Sequence, residues 1–427
     1  MKRIAVVGSG ITGLGAAHLL AKQHHVTLFE REDYAGGHAH TVDVTLDGIT
    51  HGVDTGFLVF NHRTYPNLLA LFNELKVPTA KSDMSFSVRL TGGPARGLEW
   101  AGHSLNSVFA QRRNLLRPSF LRMLRDLLRF NKQATDDILH HRVGALSLGE
   151  YLKQGGYGRE MIDWYLVPMA ACIWSCPTEA MMAYPAKTFL QFCHNHGLLT
   201  GFEGRPQWYT VQGGSREYVK RVLAGIHEVR LSTPVHAVHR APRQLPVVES
   251  SRGKESFDAV VLATHSDTTL KLLAQPQLSE QSVFSRLRYQ PNRAVLHTDA
   301  SVLPRRKLAW SSWNYETSDA GGEPQVCCHY LINMLQPLPF KTPVVVSLNP
   351  ITEPKQVIAE YEYDHPIFDA AAVAAQQELA ALQGQGGVWF GGAWAGYGFH
   401  EDGLKAGLAA ARGVLDALDV SSARAAE

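Results

Sequence analysis

The first thirty residues carry one complete device. Ile4-Ala5-Val6-Val7 is an apolar strand, Gly8-Ser9-Gly10-Ile11-Thr12-Gly13 is a Gly-x-Gly-x-x-Gly turn, and Leu14-Gly15-Ala16-Ala17 opens a helix. Val26-Thr27-Leu28-Phe29 is then a second strand, ending in Glu30. A chain that starts this way is constrained to a parallel βαβ unit. Gly8 allows the tight turn, Gly10 lets the backbone approach a pyrophosphate, and Gly13 lets the helix pack closely on the strand. The N–H groups of Ile11 and Thr12 at the helix start offer the positive end of the helix dipole to phosphates. Glu30, 20 residues beyond Gly10, can accept from a ribose hydroxyl. The spacing predicts a dinucleotide site, and it leaves open which dinucleotide.

At 427 residues the chain has room for two or three domains. Hydrophobic residues at 45% against 19% charged describe a globular protein with a substantial core. A net charge of +2 gives no argument for a nucleic-acid partner. Met1-Lys2-Arg3 leads into only four apolar residues, which is no signal peptide, and no apolar run approaches a membrane span. The expectation is a soluble cytoplasmic enzyme. Cys172, Cys176, Cys193, Cys327 and Cys328 sit among apolar or aromatic neighbours, as thiols of a reducing compartment do. Cys193-His194-Asn195-His196 fits no common zinc spacing, so no metal is expected.

Further along, Thr41 to Leu46 alternates up to an Asp47-Gly48 turn, which predicts a β-hairpin. Tyr65 to Lys76 has helical periodicity, and residues 103–200 are mostly helical in pattern. Strands return after residue 200: Trp208–Ser215 precedes a helix over Arg216–Ala224, Val229–Val238 is strand-like around Pro234, and Asp258–Thr264 and Pro343–Leu348 follow. The final helix is expected from about Asp402 to about Leu418, followed by a disposable tail, Ser421–Glu427.

Glu30-Arg31 followed by Gly36-Gly37-His38-Ala39-His40-Thr41 resembles the second fingerprint of the flavin amine-oxidase and phytoene-desaturase superfamily. The resemblance implies that Arg31, Gly36, Gly37 and Thr41 belong to the cofactor site. His38 stands where that family carries Arg, so a fixed cation becomes a titratable donor. Asp54-Thr55-Gly56, with Phe57 after it, resembles the segment that passes the isoalloxazine ring. Val211–Ser215 resembles the family's Gly-Gly-Ser segment, Pro234-Val235 the strand whose valine meets adenine, and Asp258–Thr264 the strand whose Ala263 lies near the cofactor. Gly391-Gly392-Ala393-Trp394 with Gly398–Gly407 resembles the C-terminal flavin motif, where the last helix aims its N-terminus at the flavin pyrimidine edge. This places Gly392, His400 and Leu404 at the cofactor.

Pro168–Ser175, Tyr184-Pro185-Ala186, Asn195–Leu199, Asn349-Pro350-Ile351 and Gly396–Leu404 are similar to a bacterial branch of NAD/FAD-binding oxidoreductases. A like module is fused to plant cyclopropane-fatty-acid synthases. The kinship implies an FAD-dependent desaturase of methyl-branched fatty acyl chains, with a lipid-modifying methyltransferase as a partner.

A flavin oxidase or desaturase needs little acid–base equipment, because the cofactor takes the hydride and the protein supplies position and a dry pocket. His400 and Glu401 stand first among the polar candidates, although Glu401 and Asp402 would equally serve to charge a helix start. Trp394, Tyr397 and Phe399 could wall the substrate face or be ordinary core. The C-terminal motif has no Cys for a covalent flavin link, and Phe399 lacks the hydroxyl of a paired-tyrosine amine cage. Trp164, Met169, Ile173, Trp174, Met181, Met182 and Phe189 could line a tunnel for a long apolar substrate, or simply be core. Residues 112–130 read as a basic amphipathic helix with Arg122, Arg125 and Arg129 on one face. Such a helix lies on an anionic bilayer or is a solvated basic face.

The fold class expected is α/β: a Rossmann-like FAD-binding domain interleaved with an α+β substrate domain. The FAD-binding parts are 1–64, 205–275 and 386–420; the substrate parts are 65–204, largely helical, and 276–385; the tail is 421–427. The function expected is hydride transfer to FAD from a lipophilic substrate. An amine or polyamine oxidase, and a non-catalytic flavoprotein partner of a lipid methyltransferase, are the alternatives.

Overall fold

The computed structural model describes residues 1–93, 95–174, 178–201, 205–318 and 325–426, with backbone alone at 171, 178–180, 325 and 421–426. The opening apolar strand, Arg3–Val7, is the middle of a five-stranded parallel sheet. Its order is Glu228–Arg230, His25–Phe29, Arg3–Val7, Ala259–Leu262, Val388–Phe390. The edge strand Glu228–Arg230 is only partly buried. From Ile4, Val26, Ala259 and Val388 onward the other four strands are buried on both faces, which is why they read as largely apolar runs. Alternation splits them between two cores. Ile4, Val6, Leu28 and Val261 meet the helices Ile11–Ala21 and His400–Ala426 on one side. Ala5, Val7, Phe29 and Leu262 meet Phe257, Phe284 and Phe390 on the other.

The sheet draws its strands from the start, middle and end of the chain, and the intervening stretches build a second layer. Seven strands run in the order Val357–Pro366, Tyr289–His297, Val345–Leu348, Gln325–Leu331, Trp313–Ser318, Phe86–Leu90, Glu99–Ala101. All neighbours are antiparallel except Trp313–Ser318 with Phe86–Leu90. The helical insert, including Pro118–Leu139, Val167–Trp174 and Ala186–Asn195, packs into the first core.

The hairpin forms as expected, Thr41–Leu46 with Ile49–Asp54. Asp47 and Gly48 both take left-handed φ, 52° and 74°, which matches the strand twist. The stretch 65–204 is largely helical, as expected, and also contributes Phe86–Leu90 and Glu99–Ala101 to the large sheet. Their period-two pattern is short, and the first pairs with a strand more than 200 residues away. Two expectations are corrected. Val229–Val238 is two strands in different sheets, because Ser232 at φ 46° and Pro234 turn the chain between them. The closing helix runs His400–Ala426, so most of the expected tail is helical. No helix among the described residues is long and apolar enough to cross a membrane.

Candidate active site

The glycine turn is shaped by contacts a side chain would destroy. A Cβ on Gly13 would overlap the Gly8 carbonyl oxygen, and one on Gly8, at φ 97°, would lie 2.7 Å from the Ala263 carbonyl oxygen. Gly10 differs: no heavy atom of the protein lies within 4 Å of its Cβ position. The turn is therefore packed from behind by Ala263 and open in front. Glu30 holds it from the side. Its Oε2 accepts from the Ser9 N–H (2.9 Å) and hydroxyl (2.5 Å), and its Oε1 from the Glu32 N–H (3.1 Å). Oε1 keeps a lone pair for a further donor such as a ribose hydroxyl.

Two helices start at this opening and run side by side in the same direction. Ile11 meets Gly403, Gly15 meets Leu404, and Thr12 meets Gly407 so closely that a Cβ on Gly407 would overlap the Thr12 carbonyl. The N–H groups of Ile11, Thr12 and Gly13, and those of His400, Glu401 and Asp402, have no intrahelical acceptor. Two positive dipole ends thus share one mouth.

The Gly36-Gly37 loop closes the mouth on a third side. The Gly36 N–H donates to the Ser9 carbonyl (3.1 Å), and a Cβ on Gly37 would lie 3.1 Å from Gly10 Cα. His38 follows directly. Its ring centroid is 5.0 Å from Tyr363, 5.5 Å from His365 and 6.4 Å from His265. Its Nε2 is buried with no hydrogen-bond partner among the described residues. Burial, then the neighbouring imidazoles of His365, His265 and His400, hold its pKa well below the ordinary histidine value. Asn292 donates to His365 Nδ1 (2.9 Å), so the neutral ring carries its proton on Nε2, and burial holds His365 at about 4.

Asp54, buried at the end of the hairpin, ties this region together. It accepts from the Thr41 hydroxyl (2.5 Å), the Ser215 N–H (2.9 Å) and hydroxyl (2.8 Å), and the Gln336 amide (2.8 Å). Burial raises it to about 6 against the pull of those donors. Thr41 spends its hydroxyl here, donating to Asp54 and accepting from the Arg216 N–H (3.0 Å), so it positions the loop from behind. The backbone then bends past His38. A Cβ on Gly56 would overlap the His38 carbonyl oxygen, and the Phe57 N–H donates to that oxygen (2.7 Å). Phe57 lies flat on His400, centroids 3.7 Å apart and planes within 8°.

His400 is the best-defined polar group at the mouth. Burial lowers its pKa to about 3, so the ring is neutral. Its Nε2 pairs with the Tyr218 hydroxyl at 2.7 Å. Burial holds that phenol far above its usual range. A phenol that keeps its proton donates it to Nε2, which leaves the imidazole proton on Nδ1. Tyr218 has no signal in the sequence beyond its place after Gly213-Gly214-Ser215.

Several expected site residues serve other ends. Both Glu401 oxygens are engaged by the helix Pro66–Glu74: Oε1 takes the Asn67 N–H (2.9 Å) and side-chain amide (2.7 Å), and Oε2 takes the Leu68 N–H (3.0 Å). Glu401 caps a neighbouring helix, while Asp402 caps its own through the Phe399 N–H (3.0 Å). Trp394 is core, 1% exposed, donating to the Thr264 carbonyl (3.0 Å), and its indole fills the space a Cβ on Gly392 would need. The Leu404 side chain is buried against Gly15. Arg31 is exposed and paired with Glu32 (2.7 Å). Val235 is half-buried on the first strand of a three-stranded antiparallel sheet.

Tyr397 and Phe399 do meet an aromatic wall. Phe399 stacks on Phe192 (5.1 Å, 18°), Tyr397 lies 6.0 Å from it, and Phe192 packs on Trp174 (4.6 Å) and His196 (3.9 Å). Beside this wall a groove is lined by Trp174, Met181, Tyr184, His365, Pro366 and Phe368. It backs onto the loop before the closing helix, where a Cβ on Gly398 would lie 2.9 Å from the Phe368 ring. Of the apolar set read from the sequence, Trp174 and Met181 line the groove, and Phe189 is fully buried beside Trp174. Trp164 lies elsewhere, under the Arg117 guanidinium. Cys176 lies outside the described residues. Among those residues no group of three or more His, Cys, Asp or Glu is placed to hold a metal.

An open face at Gly10, two helix starts and the unpartnered His38 nitrogen suit a dinucleotide whose phosphates and ring edge both want donors. Known proteins agree with this geometry. Residues 11–331 match the family described as flavin containing amine oxidoreductase. The carotenoid phi-ring synthase of Streptomyces griseus is 28% identical over 315 residues, 67% of this chain and 58% of that protein. The 1-hydroxycarotenoid 3,4-desaturase of Flavobacterium sp. (strain P99-3) is 37% identical over 89 residues, 19% of this chain and 17% of that one. The chain thus spans well under two thirds of either relative's length. Cyclohexylamine oxidase from Brevibacterium oxydans IH-35A shares the fold at a TM-score of 0.68 and 16% identity, covering 98% of this chain and 99% of its own. By sequence match over three quarters of its length, and with a fold and mouth to suit FAD, the chain belongs to the flavin-containing amine oxidoreductase family.

Proposed function

We propose that this FAD-dependent oxidoreductase takes a hydride from a lipophilic substrate, and that the reaction is the desaturation of a methyl-branched fatty acyl chain. The observation that carries the reading is the groove beside the mouth, in which Trp174, Met181, Tyr184, Pro366, Ile367 and Phe368 outnumber the polar Gln290, His365 and Asp369. Among the described residues its one carboxylate, Asp369, is spent on Arg288 (2.7 Å) and on the Ala372 N–H (2.8 Å), which leaves no free acid among them to receive an ammonium. An apolar chain gains by leaving water for such a lining, and a charged amine does not. The two sequence relatives are named for work on carotenoids, which are likewise long and apolar.

FAD, when bound, accepts the hydride. The chain's own residues do the rest. Gly8–Gly13 and Gly36–Gly37 offer backbone to the pyrophosphate, Glu30 Oε1 a ribose contact, and the His400 helix start its N–H groups to the ring edge where negative charge grows. His400, neutral and fixed by Phe57 and Tyr218, presents a donor that does not change charge across ordinary pH. The Phe192–Phe399 wall excludes water.

The test is anaerobic mixing of the purified yellow protein with methyl-branched acyl lipids, straight-chain acyl lipids and amines. Loss of flavin absorbance with the branched lipids, and a new double bond by mass spectrometry, is expected. Bleaching by amines alone would replace this reading with an amine oxidase. Bound FAD that no lipid or amine reduces would point to a non-catalytic flavoprotein.

A further inference from the structure

The helical insert carries a surface that the flavin site does not use. The helix Pro118–Leu139 buries Phe120, Met123, Phe130, Ala134 and Ile138. Away from that face, Leu121, Arg125, Leu128 and Lys132 recur at i, i+4, i+7 and i+11, the spacing that aligns residues along one helical stripe. Leu121 is 44% exposed and Leu128 68%. The turn just before the helix adds Leu115 at 50% and Leu116 at 87%. One exposed leucine needs no explanation, but four on one short stretch make an apolar patch.

The patch sits in a field of one sign. From Leu105 to Lys132 there are seven Arg and Lys against the single carboxylate of Asp126, a net of +6 in a chain whose total is +2. Arg122 pairs with Glu160, a carboxylate from another helix. Arg112 and Arg113 bond to carbonyl oxygens of Phe109 and Gly97, contacts that orient a guanidinium without neutralising it, while Arg129 bonds to the Gly155 carbonyl and also pairs with Asp126 (3.6 Å). Arg125 stands between Leu121 and Leu128, its guanidinium 3.4 Å from the buried Asp126 and 73% of its side chain in water.

We propose that this stripe docks the protein on an anionic lipid bilayer, with Leu115, Leu116, Leu121 and Leu128 seated at the headgroup–acyl boundary and the arginines among the lipid phosphates. Protruding leucines set among cations match a surface that is apolar below and negative above. The charge complementarity selects anionic lipid over an apolar protein groove. The surface is independent of what the flavin oxidises, so its test does not use turnover.

The test is co-sedimentation of the FAD-loaded full chain with vesicles of phosphatidylcholine, and of phosphatidylcholine mixed with phosphatidylglycerol. Binding to the mixed vesicles alone is expected, weakening as salt is raised. The Leu116→Ser/Leu128→Ser variant should lower the vesicle-bound to free ratio about tenfold or more, and Arg125→Glu should lower it further. Flavin absorbance reports that each variant is folded. Failure of the wild type to sediment with the mixed vesicles overturns the proposal. So does sedimentation that the leucine variant leaves unchanged, or a wild-type dimer that the leucine variant makes monomeric without altering lipid binding.

Discussion

Gly10 and Gly13 stand three residues apart in the same turn and answer to different demands. Gly13 is required by the protein, since any side chain there strikes the Gly8 carbonyl. Gly10 has φ −63° and ψ 175°, a conformation any residue adopts, and open space before it. Only something outside the chain requires glycine there. Gly10→Ala should therefore leave the melting of the FAD-free protein within about 0.5 kcal/mol of wild type. Its affinity for FAD should fall at least about tenfold, roughly 1.4 kcal/mol, read by quenching of FAD fluorescence on titration. A variant that binds FAD normally would remove the pyrophosphate from Gly10. His38 presents the same logic from the polar side: a buried nitrogen without a partner costs free energy unless something arrives to pair with it.

The closing helix does its work as an element, through where it starts. Asp402 fixes its first turn through the Phe399 N–H, and Glu401 reaches sideways to cap Pro66–Glu74. The acid pair at 401 and 402 was readable in the sequence as helix-start chemistry. Which helix each one serves was not, because Asn67 and Leu68 are over 330 residues from Glu401 and no local pattern encodes that contact. Trp394 misleads for the same reason. Its aromatic neighbours at 397 and 399 face Phe192, while it faces Thr264 and Phe284 across the sheet. Glu401→Ala should cost about 1–2 kcal/mol of stability by unmaking the cap, seen as a lower thermal midpoint. The flavin absorbance bands and reduction midpoint should stay as in wild type. A shifted midpoint with unchanged stability would return Glu401 to the flavin.

At the scale of the whole molecule, the parallel sheet and the mouth at its edge were legible from local patterns. Four of the five strands are local, largely apolar runs and the turn at the mouth is a local glycine pattern, while the edge strand Glu228–Arg230 carries no such run. The joining of Phe86–Leu90 to Trp313–Ser318, and the Asp54–Gln336 contact, depend on pairings across the full chain. Those pairings create interiors for polar groups, and their net effect is a pH dependence of folding. Burial holds His196, His297 and His365 at about 4 and His400 at about 3. His297 accepts from the Asp299 N–H at Nδ1 (3.1 Å), so protonating it would also break that bond. Each of these rings takes up a proton near 6.5 once unfolded, so its stability is present above 6.5 and is lost as pH falls toward 4. The limiting slope is about 1.4 kcal/mol per pH unit for each. Asp54 and Asp402, raised by burial to about 6 from 3.8, act in the opposite sense and favour the folded state as pH falls through 6. Four imidazoles outweigh two carboxyls, and His38 adds to the larger side. The thermal midpoint should therefore fall steadily from pH 7 to pH 5, before most surface carboxylates titrate. His297→Gln should flatten the slope by about one proton, since the amide has no proton to gain. A midpoint that holds or rises over that range would mean that these histidines are solvated in the folded protein.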